Sequence, residues 1–379
     1  MLEPRILERK FRRSVKNKGY FLTASGCINY VQVEKGALII SSTRNDSSIH
    51  LKNYQIRKAI RHLQVYRTAV RKDMEQFSNF SSALFGILVE IFKDESKLQA
   101  LKHGLFRLTL LGVRFYAGGL ERDPFLRKEF KELGGQYVLF NYYQLKQCSF
   151  DWLQWLESVD AYCLIDSGAF SYFQKKNKEM KSPYQQQQLL GEDILMEQYI
   201  YGYAGFINKY KEHRRIIGFF PFDVIGDPVQ TKENERLLRI LTDAKIFPVW
   251  QFTDRLDELK SLVDGEPEMI GIGGTVPFLS NRVGKVRAML NTVFHRFPDM
   301  NFHLLGIANE LLLEFPCFSS DSTAFLNARK SEDQRKVYEA DGTRIAAPKE
   351  MTTLEIIQQN LRFLINLENE KNNQLTFMF

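Results

Sequence analysis

The chain has 379 residues, 44% of them hydrophobic, enough to bury a large core in one big domain plus a smaller one, or in two of similar size. No run of 18 uncharged apolar residues occurs, and no apolar signal core follows Arg5, Arg9, Lys10, Arg12 and Arg13, so a membrane span is excluded and a cytoplasmic protein is expected. Net charge is +7, with seven basic residues between Arg5 and Lys18. That excess suits a polyanion without requiring one. Cys27, Cys148, Cys163 and Cys317 are too scattered for a zinc site and too few for a disulfide framework, which predicts free thiols.

Residues 1–20 read as a basic arm, amphipathic or partly disordered, and Tyr20 to Ser42 as two or three short strands. From Asn53, the apolar residues Ile56, Ile60, Leu63 and Val70 keep helical spacing among Arg57, Lys58, Arg61, Arg67, Arg71 and Lys72. A break near Thr68, a short RKDMEQF helix and a third helix opening at Ser81 or Ser82 follow. The rhythm allows a helix-turn-helix, but SSALFGILVEIF offers few donors for base edges. Residues 1–110 are therefore expected to form a basic, mainly helical module. Phosphate contact by Arg57, Arg61, Arg71 and Lys72 stays open.

Beyond Leu110 short apolar strands are predicted at Gly112 to Ala117, Tyr137 to Asn141, Tyr162 to Ile165, Ile216 to Phe222, Ile246 to Trp250, Met269 to Ile272, Phe302 to Ile307 and Pro316 to Ser319. Helical stretches alternate with them: Asp151 to Glu157, Glu192 to Glu212, Pro228 to Ala244, Arg255 to Val263, Arg282 to Phe297 and Glu310 to Phe315. Strands too apolar to have a wet face imply a parallel sheet. Eight of them fit an α/β fold, a (β/α)8 TIM-type barrel over residues 111–347, with a C-terminal helix and tail over 348–379. The alternative is an open doubly wound sheet, although GIGGTVPF lacks the spacing of a dinucleotide loop.

In a barrel the reactive groups come from the C-terminal strand ends. Here the third strand ends in Asp166, Ser167 and Gly168, the fourth in Asp223, the fifth in Gln251, the sixth in Gly273 and Gly274, the seventh in Gly306 and the eighth in Asp321. Each acid taken alone could be a helix cap or a turn residue. Taken together they equip a site for breaking a glycosidic bond, one carboxylate attacking the sugar carbon and another managing protons. The third acid and the amide suit a heterocycle with donor and acceptor edges.

This order of motifs resembles the tRNA-guanine transglycosylase superfamily, in particular its phage and bacterial DNA-guanine transglycosylase branch, over about Val113 to Leu326. DSGAF at Asp166 to Phe170 is similar to the family's Asp-Ser-Gly-Gly-Phe, with Ala169 in place of the second glycine. The resemblance implies a nucleophile at Asp321 and a proton-handling partner at Asp166. It implies base binding by Asp223, Gln251, Gly273, Gly274, Ser167, Gly168, Phe170 and Gly306. The family's three-cysteine, one-histidine zinc site has no counterpart, since neither residue type occurs after Phe318, and its basic segment is reduced to Arg329 and Lys330.

The expectation is thus an N-glycosyl-cleaving enzyme on DNA, with tRNA as the alternative, acting on a flipped-out nucleotide without cofactor or metal. A second base attacking the sugar would give exchange of guanine for a 7-deazaguanine-type base, with the free purine or deazapurine as second partner. Water would give a DNA glycosylase, as in an antiphage defence enzyme. A non-catalytic DNA-binding regulator on a degenerate barrel is the rival from another class, and a small-molecule barrel enzyme lacks its expected phosphate-gripping loop.

Overall fold

The computed structural model describes residues 2–42, 45–169, 171–172, 192–224, 226–279 and 281–369. The chain divides into two compact units, Met1–Leu111 and Gly112–Phe379.

The first unit is mixed α and β, in contrast to the mainly helical module expected. Strands β1 (Tyr20–Leu22), β2 (Ile28–Glu34), β3 (Ala37–Ser42) and β4 (Asn45–Lys52) form an antiparallel meander, and β5 (Thr68–Val70), β6 (Ser96–Ala100) and β7 (Phe106–Leu110) a second sheet in the order β5-β7-β6. Pro4–Lys18, within the segment expected as an amphipathic or partly disordered arm, is a helix. Pro4 opens helix α1 (Pro4–Lys18), where a missing N–H costs nothing, and Gly19 closes it at φ 79°. One face of α1 buries Phe11 and Val15 together with Glu8, which holds Arg12 and Arg57 at 3.5 Å.

Helix α2 (Asn53–Tyr66) ends where Arg67 takes a left-handed φ of 60°. Arg67 is buried and donates to the carbonyls of Leu110 and Leu111. RKDMEQF contributes a 3-10 turn at Arg71–Met74, and α3 (Ser81–Phe92) buries every residue from Ala83 to Leu88. A helix covered on all sides has no face to lay in a DNA groove, so the helix-turn-helix form does not arise.

The second unit carries an eight-stranded, all-parallel sheet, with strands β8 (Arg114–Gly118), β9 (Tyr137–Asn141), β10 (Tyr162–Asp166), β11 (Ile216–Phe219), β12 (Val249–Gln251), β13 (Ile270–Gly273), β14 (Phe302–Leu304) and β15 (Ser319–Ser322). Its spatial order is β11-β10-β9-β8-β15-β14-β13-β12. The end strand β11 makes an isolated parallel bridge from Phe219 to Ile246, three residues before β12, and the arrangement is consistent with a TIM-like fold. Helices alternate with the strands, and several are capped by an acid or amide. Asp123, Asn141, Asp151 and Asp227 accept from the backbone N–H three residues on.

Strand β15 starts three residues later than the apolar pattern of Pro316 to Ser319 predicts. Its ladder to β8 pairs Ser319 with Arg114 and runs on through Asp321 opposite Tyr116 to Ser322 opposite Ala117. The serines are satisfied internally, Ser320 donating to the carbonyls of Leu304 and Ile307 at 2.6 Å, so polar residues tolerate this buried strand.

At the other end of the chain Thr352 caps helix Thr353–Asn366 with a reciprocal Glu355 bond. Beyond it, Glu368 accepts from Arg114 at 2.5 Å while the guanidinium lies 3.6 Å from the Tyr137 ring centre. Gly112 sits at φ 96° with the Glu368 carbonyl where a Cβ would fall, so only glycine fits there. Among the described residues no helix is long and apolar enough to cross a membrane.

Candidate active site

A cavity of about 760 Å³ opens at the C-terminal strand ends of the second unit. Among the described residues its lining includes Asp166, Asp223, Gly273, Gly274, Gly306 and Asp321. Among the described residues none of the three aspartates caps a helix, and Asp227 does that work for the helix after Asp223.

Asp166 is the last residue of β10, after the buried run Cys163, Leu164 and Ile165. Its Oδ2 accepts from the Gly168 N–H at 2.9 Å in a tight turn, and Gly168 has φ 81°. Burial, joined by the charge of Asp223 and then of Asp321, pushes the Asp166 carboxyl up to about 8, against the relief from the Gly168 N–H. At neutral pH it therefore carries a proton. Ser167 and Ala169 are buried beneath it, the Ser167 carbonyl accepting from Tyr199 at 2.6 Å. Ser167 and Gly168 shape this turn and do not line the cavity, and Ala169 belongs to the core. Phe170 lies outside the described residues.

Asp223 follows the buried Phe220 and Phe222. Burial raises its carboxyl, and the bond from Gln251 Nε2 to Oδ2 at 2.7 Å opposes the rise. Gln251 is fully buried at the end of β12, and its Oε1 has no hydrogen-bond partner among the described residues. Gly273 and Gly274 make room for this amide: a Cβ at Gly274 would stand 2.5 Å from Oε1. These glycines serve the Gln251 side chain first, as well as forming cavity wall. Gln251 itself does not line the cavity, so it reaches the site through its bond to Asp223, which does.

Asp321 has one occupied oxygen. Its Oδ1 accepts from the Gly306 N–H at 3.1 Å and from His303 Nε2 at 3.1 Å. His303 is 0% exposed, packed between the rings of Tyr116 and Phe220, and its Nδ1 lies 2.8 Å from Ser319 Oγ. Ser319 and Asp321, two residues apart on one strand, face the same side, and Ser319 is the register partner of His303. His303 was not among the residues expected from sequence. Its signal was a lone imidazole in an otherwise apolar strand.

Further residues join from the first two strands. Glu121, Asn141 and Gln144 line the cavity, Asn141 N donating to Glu121 Oε1 at 2.8 Å, and burial raises the Glu121 carboxyl. Asn141 ends an apolar strand as Asp166 does, so the same reasoning could have found it. Lys330 lines the cavity with Arg122 and Arg344, whereas Arg329 is paired with Asp123 at 2.6 Å. Of the basic residues expected to touch phosphates in the first unit, Arg57 pairs with Glu8, Arg71 with Glu75 and Ser81, and Arg61 and Lys72 are exposed. Among the described residues no three His, Cys, Asp or Glu side chains are grouped so as to hold a metal ion.

No protein-family model and no curated protein matches the chain. Among solved structures, a protein of Aquifex aeolicus VF5 has a TM-score of 0.38 at 10% identity, covering 69% of this chain and 94% of that one. A mandelate racemase/muconate lactonizing family protein from Azoarcus sp. EbN1 has a TM-score of 0.35 at 9% identity, covering 92% and 95%. Likeness at these levels bears on neither fold nor chemistry.

Proposed function

We propose that the second unit cleaves the N-glycosidic bond of a nucleotide in a nucleic acid, DNA before tRNA, and exchanges its guanine for a 7-deazaguanine-type base. The observation that carries this reading is the division of labour between two carboxyls of one cavity. Asp166 holds a proton near neutral pH, while Asp321 is gripped on Oδ1 by two N–H donors.

In the first step Asp321 Oδ2 attacks C1′ of an extruded nucleotide and the bonding pair leaves with the base. The protonated Asp166 gives its proton to the departing nitrogen. In the second step an incoming base or water attacks C1′, Asp166 takes back the proton, and the C1′–Oδ2 bond breaks. Asp223, braced by Gln251 Nε2 on its Oδ2, supplies an acceptor to the N–H edge of a guanine-like base, which favours a purine over a sugar alone. The resemblance of DSGAF, the Asp223 and Gln251 strand exits, GIGG and SSDS to the transglycosylase superfamily supports the same roles.

A polynucleotide rather than a free nucleoside is supported by the first unit. On α1, Arg5, Arg9, Arg13 and Lys16 recur at helical spacing opposite the buried face, and all are exposed without an acidic partner among the described residues.

The test is incubation with oligonucleotide DNA and, separately, tRNA, measuring released base by mass spectrometry, incorporation of labelled deazaguanine and alkali-labile breaks. Released guanine with an intact, relabelled strand is the expected result. Abasic sites would assign the same residues to hydrolysis, as a glycosylase of the defence type, and no release from either polymer would overturn the reading.

A further inference from the structure

The mechanism above leaves His303, a buried titratable group in contact with the nucleophile, without a task. His303 lies beneath the nucleophile with both ring nitrogens engaged. We infer that His303 is a positioning residue whose Nε2–H makes the Asp321 carboxylate a good leaving group in the second step, and so controls breakdown of the covalent intermediate. The inference rests on Asp321 as nucleophile and goes beyond it by assigning the two oxygens different duties.

The tautomer follows from the partners. Ser319 Oγ lies 2.8 Å from His303 Nδ1 and 3.5 Å from Met269 Sδ. A hydroxyl has one proton to give, and an imidazole nitrogen is a far stronger acceptor than a thioether. Ser319 therefore donates to Nδ1, which leaves Nε2 as the nitrogen that carries a proton, directed at Asp321 Oδ1 3.1 Å away. Tyr116 and Phe220 fix the ring plane on either side. With Oδ1 held by this N–H and that of Gly306, Oδ2 is the oxygen available to carbon.

Attack of Oδ2 on C1′ turns the carboxylate into an ester, whose carbonyl oxygen is Oδ1. Donors on Oδ1 stabilise the charged carboxylate more than the ester. They favour the state reached when C1′–Oδ2 breaks and the pair returns to the carboxylate, and they cost no reorganisation because they are already in place. Removing one donor shifts the balance toward the ester, so the slow step becomes its breakdown.

The full-length protein is tested with a fluorescein-labelled DNA oligonucleotide containing deoxyguanosine, run on denaturing gels, with base release followed in parallel. His303→Phe is expected to lower turnover about 10- to 100-fold, the worth of one hydrogen bond to a charged group, while the denaturation-resistant protein–DNA band rises several-fold. His303→Gln, which keeps an N–H donor, restores turnover and clears the band. A purely structural role would lower turnover and adduct together, which would overturn the assignment. Imidazole ¹⁵N–¹H spectra of the wild type and of Ser319→Ala test the geometry without any substrate. The expected pattern is a neutral Nε2–H ring that changes when Ser319 is lost, and an Nδ1–H ring would overturn the proposal. Absence of base release by the wild type with the Nε2–H ring present would overturn the glycosidic reading and, with it, the leaving-group role.

Discussion

The two units treat charge in opposite ways. Residues 1–111 hold 20 Lys and Arg against 9 Asp and Glu, whereas residues 112–379 hold 32 against 36, so the whole positive excess belongs to the first unit. There Arg5, Arg9, Arg13 and Lys16 of α1 stand in solvent and, among the described residues, the one buried acid, Glu8, is paired with Arg12 and Arg57. In the second unit the decisive charges are acids withdrawn from water with other acids for company, and that is where the carboxyl shifts are upward. Exposed charge of one sign attracts a polymer over a Debye length, while buried like charges set protonation states for chemistry.

The sharpest way to break this contrast is to remove the attacking group. Asp321→Ala should abolish base release, a loss on the order of 10⁴-fold or more, with binding to nucleic acid retained, as read by gel shift. Asp166→Asn should lower release by about 10²- to 10⁴-fold. In the wild type, release should fall as pH rises above about 8, where Asp166 loses the proton it must donate, and this limb should vanish in the asparagine variant.

The same group predicts a stability profile. The unfolded chain gives up this proton near pH 4, but the folded protein keeps it to about 8, so Asp166 lowers stability progressively as pH rises across that window. Thermal melts of Asp166→Asn should be flatter between those limits.

Smaller effects are expected further from the reacting atoms. Gly274→Ala places a Cβ against Gln251 Oε1 at a φ of 73°, and should weaken base selection, seen as a raised KM for the free base, more than it changes kcat. Arg9→Glu with Arg13→Glu should leave the chemistry of a bound strand unchanged. It should reduce the slope of log affinity against log salt by about one for each phosphate no longer neutralised. If that slope did not change, the charge asymmetry would be a solvated face and the contrast between the units would lose its functional meaning.

Much of the second unit was legible from sequence because its strands are short apolar runs ending in one polar residue. Asp166 and Gln251 each end a buried strand and Asp223 follows one four residues on, and the sequence alone marks that change of character. Strand β15 escaped this logic, since SSDS has no apolar pattern and is held by serine hydroxyls bonding to neighbouring strands. In the first unit, the helical spacing of Ile56, Ile60 and Leu63 matches α2, whereas Val70, expected in the same pattern, lies in β5, and the basic residues beside the helix misled. Arg67 is buried on the carbonyls of Leu110 and Leu111, a long-range pairing no local pattern contains.

The amino-acid order by itself determined which residue types end each strand of the second unit, because burial and periodicity are local properties. Only the tertiary structure decided that Gln251 braces Asp223, that Gly274 yields space to that amide, and that burial pushes the Asp166 carboxyl up to about 8. It also brought His303 under Asp321, 18 positions away in the chain. Each of these depends on distance between strands and on the exclusion of water, and both arise when a parallel sheet curls until Phe219 meets Ile246.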